Sequence, residues 1–453
     1  MPAHLRPSSR RFAPFVPFVA SHLARAKAAV SKVSRGGIPL RQAMAAGDAS
    51  AMAATQVPRR ENPTVSHSRA PREQTEPQQT HTPPFLRLRA RVHWWETHGA
   101  SPEVLQAIRF GVQADLTLPS TLSCHSRPRQ PLEEAQALAV LQEYAEVGAV
   151  KPVSPDQTAH LVPWFVITRH SGPEVKTRLI SDCRELNQYM LPKHFKLDHW
   201  QHIFPNLRRG MWAAKIDLKN AYFHLGLSNA LKPYVRIQVQ NQQWEFQAAC
   251  FGLSTLPYLW TQTMKVLHRL WRGKGILCFV YLDDILLLGS SPKHVSKSLA
   301  FMLHTLEEAG LEVNVKKSVL TPVQEIDHLG FHINFVTGHL QVPCHKLKLV
   351  RRELGKLLLH RRMSPRKMSA ILGSVRSFLM AMPFLRSFTD QMVEFISLHQ
   401  GQGWDRKFAI PLCLQEQVKE VKSLMHTWAG RVFQDRIAVR TLHSDASNWG
   451  WGV

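Results

Sequence analysis

Cysteine is scarce in this chain of 453 residues: six, at positions 124, 183, 250, 278, 344 and 413, with no CxxC pair among them. Such spacing argues against a structural zinc site or a disulfide framework and predicts buried free thiols in a reducing compartment. Apolar runs are short. No stretch of 18 apolar residues passes uninterrupted, so no membrane span is expected. There is no GxxxxGK[ST] loop to cradle a nucleotide phosphate and no GxSxG elbow to present a nucleophile, which sets aside P-loop hydrolysis and serine-hydrolase chemistry. No internal repeat is present. Acid is missing altogether from the first 47 residues.

What the chain has in excess is positive charge. Lys and Arg number 57 against 33 acids, a net charge of +24. An excess of that size points to a polyanionic partner, nucleic acid first and an anionic membrane second. Part of it lies in residues 1–84, rich in Pro, Ser, Thr, Gln and Arg, which read as a disordered basic arm. The same composition is compatible with an organelle transit peptide. The compartment is otherwise expected to be intracellular, cytoplasm or nucleus.

Beyond the arm the hydrophobic content, 44% of the chain, supports a sizeable core. Residues 85–150 read as helical, with Ser101 capping a helix that Pro102 starts, and a second helix in "PLEEAQALAVLQEYAEVGAV". From 151 to 335 strands and helices alternate. "VITRHSGPEVKTRLI" and "YVRIQVQNQQWEF" read as hairpins, "MWAAKIDL" as a buried strand, and "LPYLWTQTMKVLHRLWRG" as a helix with Trp260, Met264, Leu267 and Trp271 on one stripe. The class is α+β, an antiparallel sheet backed by helices. Residues 336–437 turn helical and basic: "HKLKLVRRELGKLLLHRRMSPRKMSAILGSVRSFL" carries ten Lys or Arg and one acid, Glu353. Residues 438–453 begin another strand.

The run "CFVYLDDILLLG" sets two adjacent carboxylates, Asp283 and Asp284, inside an apolar stretch. At ~4 Å and an effective dielectric of ~20 their repulsion is roughly 4 kcal/mol. "KIDLKNAYFHL" closes a second buried strand on Asp217. If the two strands are neighbours, three carboxylates converge, and they stay ionised only with cations between them. Hard oxygen ligands with open positions suit Mg²⁺, with Mn²⁺ as an alternative. Two such ions about 4 Å apart would clamp the attacking and leaving oxygens of an in-line phosphoryl transfer.

The order of motifs resembles the reverse transcriptases of retroelements over about residues 94–453. In "RLISDCRELN" the resemblance implies that Arg178 contacts the incoming triphosphate. It implies Asp217, Asp283 and Asp284 as metal ligands, Tyr222 as the steric gate against a ribose 2′-hydroxyl, and Phe251 and Gly252 of "FGLSTLP" beside the nucleotide. From "GLEVNVKKSVL" it implies a lysine near the triphosphate, Lys316 or Lys317. "HLGFHI" resembles the primer-grip hairpin, and a second triphosphate-binding base falls on Arg169 or Lys176. The implied fold is a right-hand polymerase, fingers and palm followed by a basic helical thumb. Its Lys348, Arg351, Arg352 and Lys356 would track an RNA/DNA template–primer while dNTPs enter. "LHSDASNWGWG" resembles the first strand of a ribonuclease H domain, with Asp445 as its first metal carboxylate. Its partner acids would lie past Val453, so the expectation is a truncated domain without ribonuclease H activity. The flanks resemble tyrosine-recombinase (DIRS-type) retroelements more than gypsy-type ones. A retroelement remnant that only binds nucleic acid is the alternative, and oligomeric state is left open.

Overall fold

A computed structural model describes residues 82–120, 129–155, 160–171, 174–433, 445–447 and 450–452; side chains of 169–176 and 445–452 are outside that description. The basic arm expected over 1–84 falls almost entirely outside the described residues.

Three helices open the described chain: α1 (Pro84–Ala90), α2 (Val92–Thr97) and α3 (Pro102–Phe110). The last is the one the sequence predicted, and Ser101 caps it by accepting a hydrogen bond from the Val104 amide at 3.4 Å. The first two were not predicted as separate helices. They are short, have no side-chain cap, and owe their place to packing: Leu88 and Trp95 are fully buried, and Trp95 Nε1 donates to the Ala309 carbonyl at 3.1 Å. The next residue, Gly310, lies close under α1: it has φ +81°, and a Cβ there would sit 2.8 Å from the Arg87 carbonyl oxygen. Helix α4 (Pro131–Glu146) follows, with Ala137, Val140 and Leu141 buried.

The strands do not form one sheet, as the sequence reading supposed, but several small antiparallel ones. Strand β1 (Val150–Val153) joins the hairpin of β5 (Arg236–Val239) and β6 (Gln242–Phe246) in the order β1-β6-β5. Strands β2 (Trp164–Ser171) and β3 (Glu174–Ser181) make a hairpin of their own. The central sheet holds β4 (Trp212–Asp217), β7 (Leu277–Tyr281), β8 (Asp284–Gly289) and β9 (Val319–Val323) in the order β7-β8-β4-β9. Ile216, Val280, Ile285 and Leu287 face one hydrophobic cluster, and Ala213, Phe279, Leu286 and Leu288 face another. Burial on both faces explains why these strands are continuously apolar rather than alternating. Helices α5 (Leu256–Gly273) and α6 (Pro292–Glu308) pack on the first cluster; the predicted stripe of Trp260, Met264, Leu267 and Trp271 is buried there.

Elements downstream of β9 build most of the second cluster. Strands β10 (Glu325–His328), β11 (Phe331–Asn334) and β12 (His339–Gln341) form a sheet across the 335/336 boundary drawn from sequence. Helices α7 (Cys344–Leu359), α8 (Pro365–Arg376), α9 (Asp390–His399) and α10 (Leu412–Thr427) complete it. The two-residue strands β13 (Arg362–Met363) and β14 (Phe408–Ala409) pair with each other, while β15 (Arg431–Val432) closes the β12 edge. Helix α7 buries Val350, Leu354 and Leu357, with Leu347 partly covered, as its periodicity predicted. The final strand of the sequence reading is a short hairpin, β16 (Asp445–Ser447) against β17 (Gly450–Gly452).

Candidate active site

Antiparallel register brings the acids together. Asp217, last in β4, lies directly opposite Asp284, first in β8, and Tyr281 of β7 faces Asp284 from the other side. Leu282 and Asp283 are the two residues of the connecting turn. Leu282 takes φ +55°, the left-handed region that a leucine seldom occupies. Trp260 Nε1 of α5 holds this turn by donating to the Leu282 carbonyl at 3.1 Å, and the Leu218 amide donates to the Asp283 carbonyl at 2.9 Å. Trp260 was read from sequence as core alone; its donor to the turn leaves no periodic signal.

Electrostatics divides the three acids. Burial raises the Asp217 carboxyl above the ordinary range and Asp284 adds to the effect, against Lys317, Lys215 and a hydrogen bond from Asn314. Asp283 is also raised, by burial first and then by the Asp217 and Asp284 charges. For Asp284 burial is outweighed by His328 and Lys215, which hold it below the ordinary range. Lys215 Nζ lies 3.1 Å from Asp284 Oδ2, and His328 Nδ1 is 3.6 Å from Oδ1, an ion-pair distance longer than a hydrogen bond. The three acids expected from sequence therefore stand in two electrostatic settings, Asp217 and Asp283 in one and Asp284 in the other. Among the described residues no group of three or more His, Cys, Asp or Glu side chains could hold a metal ion. Asp217 and Asp283, raised by burial first and then by neighbouring carboxylates, are the two for which nearby lysines do not offset the rise. A pair of carboxylates fits a hard cation that takes its other ligands from water and phosphate.

Around the acids stand most of the other expected residues. Lys317, not Lys316, acts on both Asp217 and Asp283, and it is exposed. Tyr222 follows β4 in a 3₁₀ turn, half-buried, with its ring 5.3 Å from Phe251 and 6.4 Å from Trp260. Its phenol is pushed up by burial first and then by Asp283. Phe251 is 47% exposed. Gly252 takes φ +125°, and a Cβ there would stand 2.4 Å from the Ser181 carbonyl oxygen, so the "FGLS" loop lies hard against the end of β3. Asn187, missed from sequence, clamps that loop: its Nδ2 donates to the Gly252 carbonyl and its Oδ1 accepts from the Ser254 amide, each at 2.8 Å.

One expected residue is not tied to the acids, and three have side chains outside the described residues. Arg178 is exposed on β3 and is not among the groups acting on the carboxylates. The side chains of Arg169 and Lys176, which pair across the β2–β3 hairpin, lie outside the described residues, as does that of Asp445. On α7, Lys348, Arg352 and Lys356 are exposed at intervals of four on one face, whereas Arg351 is half-buried.

Residues 170–333 match the family model described as reverse transcriptase (RNA-dependent DNA polymerase). This segment is a reverse transcriptase domain. It is 28% identical over 177 residues to Protein P of duck hepatitis B virus (strain Germany/DHBV-3), covering 38% of this chain and 22% of that protein. The Retrovirus-related Pol polyprotein from transposon 412 of Drosophila melanogaster is 24% identical over 209 residues, 45% of this chain and 16% of the polyprotein. The chain thus spans a small part of the curated relatives it matches. The foamy viral protease-reverse transcriptase solved with an RNA/DNA hybrid shares the fold at a TM-score of 0.54 and 18% identity, over 70% of this chain and 39% of that one. The same enzyme with dsDNA gives 0.55 and 18%, over 73% and 65%. Reverse transcriptases work with divalent metal ions, the kind of ion that the Asp217–Asp283 pair suits.

Proposed function

We propose that this chain is an RNA-directed DNA polymerase that extends a primer 3′-hydroxyl with dNTPs on an RNA or DNA template. One observation carries the reading: Asp217 and Asp283, both held above the ordinary carboxylate range, stand at one end of the central sheet with Lys317 and Tyr222 beside them. Mg²⁺, as two ions, or Mn²⁺ in its place, would supply charge neutralisation and Lewis acidity when bound. Asp217 and Asp283 would hold it. Lys317 adds positive charge where the triphosphate would lie, Tyr222 walls the sugar, and Gly252 permits close approach beside Phe251. Lys348, Arg352 and Lys356 give α7 a row of cations for template–primer phosphates, contacts that weaken with salt. The complexes of the foamy viral enzyme with RNA/DNA hybrid and dsDNA support that partner. The affinity with tyrosine-recombinase retroelements belongs to the same reading.

The test is primer extension on poly(rA) with an oligo(dT) primer, dTTP and Mg²⁺. Incorporation that Asp283→Asn reduces to background is expected. Folded protein that binds the template–primer but never extends it would leave the binding-only remnant as the answer.

A further inference from the structure

The β10–β11 hairpin buries an imidazole that the proposed reaction does not use. His328, the last residue of β10, is 1% exposed, with its ring edge-on to Trp200 at 6.1 Å. Neither ring nitrogen has a hydrogen-bond partner among the described residues. Burying two unanswered polar atoms is costly, and a leucine or phenylalanine would fill the space without that cost. Packing alone is therefore a poor reason for histidine here. What the ring faces is Asp284, whose Oδ1 lies 3.6 Å from Nδ1 and is itself buried without a hydrogen-bond partner. A missing donor and a missing acceptor stand opposite each other, a few tenths of an ångström beyond bonding range. The other oxygen, Oδ2, is taken by Lys215 at 3.1 Å.

We infer that His328 is a positioning residue for the catalytic turn. With its proton on Nδ1 it donates to Asp284 Oδ1, and with Lys215 on Oδ2 it fixes the plane of that carboxylate. Asp284 is thereby kept from swinging toward Asp217 and Asp283, and these two remain the pair that meets the nucleotide. The hairpin is tied in turn to α7, because Lys346 Nζ donates to the Gly330 carbonyl at 3.1 Å. One line of contacts then runs from the basic helix through the hairpin to the turn that carries Asp283. The inference rests on the polymerase reading and adds to it a residue that touches neither substrate nor metal.

The experiment compares wild type, His328→Leu, Asp284→Asn, the double variant, and His328→Asn, whose amide nitrogen takes the place of Nδ1. Each is assayed for kcat and dNTP KM in primer extension, for template–primer Kd by fluorescence anisotropy, and for thermal melting. His328→Leu is expected to lower kcat about 10- to 100-fold, the worth of one hydrogen bond to a charged group. Its KM and Kd should stay within about threefold of wild type, the pattern of an interaction that serves the transition state. Its Tm should fall by no more than that of Asp284→Asn, and His328→Asn should recover most of the rate. In the Asp284→Asn background, His328→Leu should have little further effect.

The inference is overturned if His328→Leu keeps the wild-type kcat, or if its effect persists in full without Asp284. It is equally overturned if His328→Asn loses as much rate and Tm as His328→Leu, the behaviour of a structural filler. Folded wild-type protein that does not extend primers would sink the polymerase reading instead. The melting temperatures of the same four-protein cycle then decide the contact: additive shifts reject it, and non-additive shifts retain it.

Discussion

Asp283 lies in the turn between β7 and β8, while Asp284 begins β8 between Lys215 and His328. One peptide bond separates two opposite electrostatic environments. Asp217 and Asp283 are raised above the ordinary value of 3.8, so their ionisation opposes folding. The cost is absent below the unfolded value and complete above the folded ones. At pH 7 without divalent ions, Asp283→Asn is therefore expected to melt higher than wild type, by about 2–4 °C for each kcal/mol relieved in a protein of this size. It should also gain less on addition of Mg²⁺. Asp284 has the reverse sign: it is lowered, so its contribution is present above 3.8 and is lost as pH falls through its folded value. Asp284→Asn should melt lower at pH 7, and scanning fluorimetry of both variants with and without Mg²⁺ checks the pair. Tyr222 carries a separate expectation. Removing the ring that packs on Phe251 should raise the rNTP-to-dNTP ratio of kcat/KM by roughly 10- to 100-fold in Tyr222→Ala, read by single-nucleotide incorporation.

Two elements position these residues, and they differ in how plainly the sequence announces them. The "FGLS" loop is held by backbone geometry. Gly252→Ala would place a Cβ 2.4 Å from the Ser181 carbonyl oxygen at a φ of +125°. A cost of about 2 kcal/mol or more is expected, because backbone must move to relieve it. The dNTP KM should rise with it, measurable by titrating extension rates. Helix α7 is legible from its periodicity, since its apolar stripe is buried as the spacing requires. Its cations are legible only in part. Lys348→Ala and Arg352→Ala should each lower the slope of log Kd against log salt by about 0.9, as one lost phosphate contact does. Arg351→Ala should leave the slope unchanged and act on stability, its Nε being buried. Titrations of template–primer at several salt concentrations distinguish the two outcomes. A helical net gives the angle of each side chain but not which neighbour covers it, and Arg351 is the residue where that matters.

Across the whole molecule, the N-terminal helices are structural partners of the catalytic sheet. Trp95 is fully buried and bonded to the Ala309 carbonyl at the end of α6, while Arg87 reaches Glu312, which also holds Lys219 two residues past Asp217. Trp95→Ala is expected to cost about 3–5 kcal/mol, the range for emptying a buried aromatic site, seen as a large drop in the denaturation midpoint. Helix α1 is only seven residues long, with two arginines among them, and nothing in their spacing marks it as a buttress. The sequence by itself determined which residue types meet at the site: acids closing apolar strands, an aromatic five residues after Asp217, and a glycine in a tight loop. Strand period and burial are local properties, so a one-dimensional pattern carries them. Only the tertiary structure decided that Asp284 is held by Lys215 and His328, that Lys317 rather than Lys316 faces the acids, and that Asn187 clamps the loop. Each depends on distances between segments far apart in the chain, and no local spacing encodes those.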